Sequence, residues 1–287
     1  MSMAVLKANE TVELVRTASL HPISLPDWEI CALINQNSNA VLYLATNQAG
    51  EKAVIKRLGL CTKHLSPHHA QTFSTAVDTK RSMSAAGMVD IFQAGVADDH
   101  LYLLMEYLEG GTLASRLANY ECYSLQQRLD WFGDIVIALG TMHDLGLVHY
   151  DLKPSNIMFR DEDELVLVDC GIENEWLVQA GYQDEGDVYC SPFYVSPECA
   201  MGDEYDEQAE IYSLGIIFYE LMTGRKPYEA SSIIGLIKTH ALAPIPRLPK
   251  ESHCYQTVLN KMLAKHPEDR YTSLDTLLDD LYFTETD

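Results

Sequence analysis

Basic residues are scarce in this chain. Its 20 Lys and Arg stand against 42 Asp and Glu, a formal net charge of −22. A surface this acidic repels phosphate backbones and anionic headgroups, which argues against nucleic acid and lipid as partners. If charge selects a partner at all, it selects a basic protein. Long apolar runs are absent as well: none approaches the roughly 18 residues that a membrane helix requires, so membrane insertion is not expected. The opening Met1-Ser2-Met3-Ala4-Val5-Leu6-Lys7 turns polar too early for a secretory signal. The seven cysteines are scattered, odd in number and never in a Cys-x-x-Cys pair. That argues against a disulfide framework and a zinc site, and it suits a reducing, cytoplasmic setting. His64, His68 and His69 have no recognised ligand spacing with Cys61 and read as a solvated loop or helix face. One further absence is local: Gly171 through Cys190 contains no Ser or Thr.

What is present describes an ordinary globular protein, 47% hydrophobic and 22% charged. Its 287 residues exceed the commonest single-core size, so one bilobal unit or two small domains is expected. Segments 28–35, 41–46 and 52–57 are rich in branched and aromatic residues, with Asn47-Gln48-Ala49-Gly50 as a hairpin turn between the last two. Ser66-Pro67 supplies the cap and first turn of a helix running to about Met83. Strands at 89–94 and 101–107, joined by Asp98-Asp99-His100, complete a five-stranded sheet. Beyond them the pattern is helical. Ser124 caps an amphipathic helix with Leu129, Phe132, Ile135, Val136, Leu139 and Met142 at three- and four-residue spacing. Further helices are expected around 229–240, 254–264 and 273–282.

The chemistry gathers in Val148-His149-Tyr150-Asp151-Leu152-Lys153-Pro154-Ser155-Asn156 and, thirteen residues after Asn156, in Asp169-Cys170-Gly171. One carboxylate can receive a proton from a hydroxyl nucleophile, while Asn156 and Asp169 hold magnesium against a polyphosphate. This pair resembles the catalytic loop and metal loop of the eukaryotic-like Ser/Thr protein kinases. The resemblance covers roughly residues 28 to 282. It implies an α+β, bilobal protein-kinase fold: a small β-rich N-lobe with one main helix over 28–106, and a larger, mostly helical C-lobe over 107–287. Residues 1–27 become an N-terminal extension.

Residue by residue, the resemblance implies ATP and Mg2+ as cofactors and a protein carrying Ser or Thr, possibly basic, as substrate. Asp151 would be the catalytic base, Lys153 would stabilise the transferring phosphoryl group, and Asn156 and Asp169 would be the metal ligands. Lys56, in Ala53-Val54-Ile55-Lys56 and 95 residues before Asp151, would reach the nucleotide phosphates. Ile34, Leu42 and Ala53 would join the nucleotide-binding set. The turn that carries Gly-x-Gly-x-x-Gly in the family here reads Asn35-Gln36-Asn37-Ser38-Asn39-Ala40. Asn tolerates left-handed backbone angles, so Asn35, Asn37 and Ala40 keep the turn feasible. The backbone at Glu106 and Leu108 would bond the adenine edge, with Gly110-Gly111 leaving room for sugar and substrate. The helix position expected to pair with Lys56 falls on Ala76. That leaves Asp78, turned by roughly 200°, as the candidate carboxylate.

Tyr150 replaces the family's usual Arg, whose charge pairs with a phosphorylated activation segment. With the Ser/Thr-free stretch, this implies an enzyme that does not depend on phosphorylation there. Ser191 stands where a Thr contacts the catalytic Asp, and Glu198 is expected to pair with Arg270. Glu210 stands where Asp is usual and is expected to cap the catalytic loop less tightly. The altered phosphate loop leaves a nucleotide-binding pseudokinase scaffold as the alternative. Ser196-Pro197-Glu198 with Arg270, and Lys153-Pro154, argue against a small-molecule kinase.

Overall fold

A computed structural model describes residues 22–37, 40–61, 67–82, 87–169, 171, 176, 191–203 and 205–285. Expectations resting on residues 1–21, Ser38, Asn39, Ser66, Cys170 and the greater part of 172–190 lie outside them. Two compact units are present. One is formed by the described residues of 1–84, 89–107 and 175–180, the other by those of 85–88, 108–174 and 181–287.

The first unit is a five-stranded antiparallel sheet in the order β1-β2-β3-β5-β4. Its strands are β1 Trp28–Gln36, β2 Ala40–Asn47, β3 Lys52–Cys61, β4 Ile91–Ala97 and β5 His100–Glu106. Helix α1, Pro67–Ser82, packs against β4. The β2–β3 turn forms because the Asn47 side chain accepts from the amides of Ala49 and Glu51, both at 3.0 Å, while Gly50 takes φ 82°. Asp98 and Asp99, at φ 46° and 62°, make the tight β4–β5 turn whose twist matches antiparallel strands. The Asp98 carboxylate also accepts from Ser24 N at 2.7 Å. Ile23 and Leu25 are buried on the sheet with Val41, Tyr43, Ala45, Ala53, Ile55, Tyr102 and Leu104. Ile23 and Leu25 therefore belong to the sheet's core. β4 begins at Ile91 rather than at Val89, because Met88 pairs instead with Leu167 of the second unit's hairpin.

In the second unit the buried axis is a helix hydrophobic on every side, Glu207–Thr223, with residues 209–222 all buried. Asp206 caps its start through the amides of Gln208 and Ala209, and Gly224 at φ 70° ends it. In chain order the helices of this unit are α2 Leu113–Leu117, α3 Leu125–Asp144, α4 Pro197–Met201, α5 Glu207–Thr223, α6 Ile233–Leu242, α7 Gln256–Met262 and α8 Leu274–Glu285. Ser124 and Gln127 form a reciprocal capping box at the start of α3, as the Ser-x-x-Gln spacing predicts. α3, α7 and α8 close around α5 or one another, and a short hairpin, β6 Ile157–Phe159 with β7 Leu165–Leu167, packs on α3.

Candidate active site

On the first unit, strand alternation decides which side chains share a face. Lys56 lies opposite Leu42 on β2 and Leu103 on β5, so Leu42, Val54, Lys56 and Leu103 point to one side. Ala53 is three residues from Lys56 and points to the other, where it is fully buried with Val41, Tyr43 and Ile55. Its expected place in the nucleotide set is corrected: Val54 shares the Lys56 face. Ile34 sits in a β-bulge, between the Leu33–Tyr43 and Asn35–Leu42 pairs, and is half exposed. Asn35 and Asn37 do not take left-handed angles. Their side chains cap backbone instead: Asn35 Oδ1 accepts from Gln36 N and Asn37 Oδ1 from Ala40 N, both at 2.8 Å, while Asn37 N bonds Ala40 O at 3.0 Å. The turn is thus tied by amide side chains where glycines would have left it open. Asp78 lies next to buried Val77 on the exposed side of α1, and Lys56 is only 8% exposed. Glu106 N donates to Asp90 O at 2.9 Å, so an adenine contact at this residue falls to its carbonyl.

On the second unit the catalytic loop is built by long-range bonds. Glu210, fully buried at the start of α5, accepts from His149 N at 2.7 Å and Tyr150 N at 2.9 Å through Oε1. Its Oε2 meets His143 Nε2 at 2.7 Å. The extra methylene does not loosen the cap; it lets one carboxylate reach two elements. Tyr150 is held at φ 68°, a sterically costly angle for an aromatic residue. Next to it, Asp151 Oδ2 takes the Lys153 ammonium and, at 3.1 Å, Asn156 Nδ2; Oδ1 takes Ser191 N at 3.3 Å. Ser191 therefore contacts the Asp151 carboxylate through its amide.

The β6–β7 register, with Ile157 opposite Leu167, brings the residues flanking the hairpin together. Val168 N donates to Asn156 O at 2.9 Å, which sets Asp169 beside Asn156. Asn156 commits its amide nitrogen to Asp151 and so presents its oxygen as an acceptor. A neutral oxygen and a carboxylate are a donor set for a hard divalent cation that completes its shell with phosphate and water. Asp169 is at φ 67°, and a Cβ on Gly171, itself at φ 61°, would fall 2.6 Å from Tyr150 Cδ2 and 2.9 Å from two loop carbonyls. Glycine is required there.

A model of the protein kinase domain matches residues 31–283. The chain belongs to the protein kinase family. This kinase domain is 32% identical over 219 residues to a chain of Clostridium acetobutylicum named a probable serine/threonine-protein kinase, covering 73% of this chain and 32% of that one. It is 27% identical over 258 residues to serine/threonine-protein kinase PrkC of Bacillus subtilis, covering 88% and 40%. Against serine/threonine-protein kinase PknB of Mycobacterium leprae it is 29% identical over 219 residues, covering 73% and 35%. The chain thus spans about a third of the length of these relatives. No helix among the described residues is long and apolar enough to cross a membrane.

Other features of the kinase domain refine the expectations. Gly110 makes no room for a ligand, since a Cβ there would meet the carbonyls of Phe159 and Asp161 at 2.5 and 2.4 Å. It lets the chain approach β6 closely enough for Gly110 N to bond Phe159 O at 2.9 Å. Glu198 and Arg270 form a bidentate pair at 2.6 and 2.8 Å. Burial alone would raise the Glu198 pKa, and the Arg270 bonds and charge reverse that, leaving it below its ordinary value. Sequence reasoning missed three contacts. Trp176 packs edge-on against Phe73 at 5.3 Å and donates to Thr72 at 3.2 Å, fastening onto α1. His143 supports Glu210, and Tyr205 packs on Tyr150. Only the His143 contact had a signal in the sequence, a histidine in the last turn of α3.

Proposed function

We propose that this domain transfers the γ-phosphoryl group of ATP to Ser or Thr hydroxyls of proteins, and that it works without phosphorylation of its own activation segment. The observation that carries the first part is the orientation of Asp151. Both of its oxygens are held, by Lys153 and Asn156 on one side and Ser191 N on the other, from a loop anchored on buried Glu210. A carboxylate fixed in this way orients an incoming hydroxyl and accepts its proton. Lys153, paired with that carboxylate, would place a positive charge beside the oxygens of the transferring phosphoryl group. Lys56 would engage the nucleotide phosphates, and the Glu106 carbonyl and Leu108 amide would read the adenine edge. Asn156 and Asp169 would hold the divalent cation, Mg2+ in this reading. When bound, that ion neutralises charge on the polyphosphate.

The second part rests on the ring of Tyr150, which lies 5.5 Å from that of buried Tyr205 at an interplanar angle of 33°. Aromatic packing of this kind needs no phosphate to neutralise a charge. The domain's acidity would draw basic proteins toward it by diffusion.

The test measures phosphate incorporation from ATP into Ser and Thr peptides by the wild type, Asp151→Ala, Lys56→Met and Asp78→Ala. Loss of the base should lower kcat by about 10²–10⁴-fold. Equal rates for wild type and Asp151→Ala would refute the mechanism. An Asp78→Ala variant as active as wild type would remove Asp78 from the phosphate-binding set. Mass spectrometry of the active protein should show no stoichiometric phosphate between residues 171 and 190; finding one on which activity depends would overturn the second part.

A further inference from the structure

Glu220, near the end of α5, is a buried carboxylate that phosphoryl transfer does not use; it is 6% exposed. The Tyr194 hydroxyl donates to its Oε1 at 2.7 Å, and the Lys226 ammonium lies 3.7 Å from the same oxygen. Burial pushes the Glu220 pKa up, opposed by the Tyr194 hydrogen bond and the Lys226 charge. Lys226 closes the solvent side of this group. Its side chain is 32% exposed, and its ammonium sits 5.1 Å from the ring centroid of Phe193 and 5.7 Å from that of Tyr194. The Phe193 ring is itself part of the surface, at 39% exposure.

The location gives this group a consequence. Ser191 N bonds the catalytic carboxylate at 3.3 Å, and Tyr194 N turns back to Ser191 O at 2.9 Å. Three residues of chain span at most about 10 Å. A peptide whose hydroxyl reaches Asp151 therefore carries its side chains two or three positions away into the neighbourhood of Phe193, Tyr194 and Glu220. A carboxylate buried beside a bound peptide would recognise an Arg, whose two-pronged geometry suits it better than an ammonium does. Here that place is already taken by a cation from the domain's own chain.

Building on the protein-kinase reading, we infer that Lys226 substitutes for a substrate cation: it covers Glu220 and prevents selection for a basic residue near the target hydroxyl. Despite the net charge of −22, local specificity at this position is neutral toward charge.

The experiment compares fluorescent peptides carrying one Ser, with Ala or Arg placed in turn at each of the three positions on either side. Kd is read by fluorescence polarisation and, separately, kcat/KM by phosphorylation. The wild type should bind Arg and Ala peptides within about twofold of each other. Lys226→Met keeps the aliphatic stem on the rings and removes the charge; it should gain about tenfold for Arg at one position. Adding Glu220→Gln should erase the gain. Lys226→Gln serves as a second uncharged variant, and thermal melts confirm folding. A wild type that already favours Arg through Glu220, a folded Lys226 variant without the gain, or the absence of peptide binding by any of these proteins would overturn the inference. The gain in binding without phosphorylation would instead refute the proposed activity and leave the Lys226 inference standing.

Discussion

Removing the Glu210 carboxylate should disable the catalytic loop more than it unfolds the domain. Three donors converge on this fully buried side chain: His149 N, Tyr150 N and His143 Nε2, at 2.7, 2.9 and 2.7 Å. Each buried donor left without an acceptor costs about 1–3 kcal/mol, so Glu210→Ala should lose roughly 3–9 kcal/mol, less whatever water entering the space recovers. That is a large part of the roughly 5–15 kcal/mol stabilising a domain. Glu210→Gln keeps one oxygen for the loop amides and should lose about 1–2 kcal/mol, or about 2–8 °C in Tm at this size. Glu210→Asp is too short to reach both the loop and His143 and should fall between them. Tyr150, at φ 68°, stays in a left-handed conformation because its amide is anchored. Once released, it should relax and carry neighbouring Asp151 out of position. We expect kcat to fall by at least about tenfold in the folded fraction of Glu210→Ala, with little change in the KM for ATP. Urea melts and steady-state kinetics on the three variants are sufficient. A destabilised Glu210→Ala with unchanged kcat would show that the loop holds its geometry by other means, and an unchanged melt would refute the energetic argument.

The remaining predictions concern other anchors. Glu198→Ala leaves the Arg270 guanidinium buried and unmatched and should cost about 3–5 kcal/mol in urea unfolding. Because the folded pKa of Glu198 is depressed below 4.5, its stabilisation is present above that pH and disappears as pH falls through the folded value; the variant should lack this acid-side loss. His240 is buried against Lys265, Tyr212 and Tyr228, and burial pushes its pKa down to about 4 from 6.5. The unfolded chain then binds the proton first, so stability should fall by about 3 kcal/mol between pH 6.5 and about 4, and His240→Gln should flatten that slope. Gly171→Ala would force a Cβ onto Tyr150 and two loop carbonyls at a left-handed φ, and should lower the unfolding free energy by about 2 kcal/mol or more together with kcat.

Much of the fold and half of the site were legible in the sequence because their determinants are local. The Ser124 capping box, the Asn47 turn and the Asp98-Asp99 turn each act within a few residues. The catalytic loop and the metal loop flank one short hairpin, so Asp151, Lys153, Asn156 and Asp169 are brought together by nearly contiguous chain. The errors fell where a side chain's environment depends on distant chain. Ala53 is adjacent to the right residues in sequence but faces the opposite core, which alternation from Lys56 could have revealed. Gly110 suggested an open ligand site, yet its space is filled by the backbone of β6. The asparagines of the phosphate turn were expected to act through their backbone angles and act through their side chains instead.

Residue types at particular spacings thus determined the family, since Asp151, Lys153, Asn156 and Asp169 flank one short hairpin whatever surrounds it. Tertiary structure decided how those groups are held and what they face. Trp176 fastens to α1 across 104 residues, and Tyr194 joins Glu220. Such contacts carry no sequence signature, because a buried carboxylate, ring or amine acquires its partner only when the core closes around it.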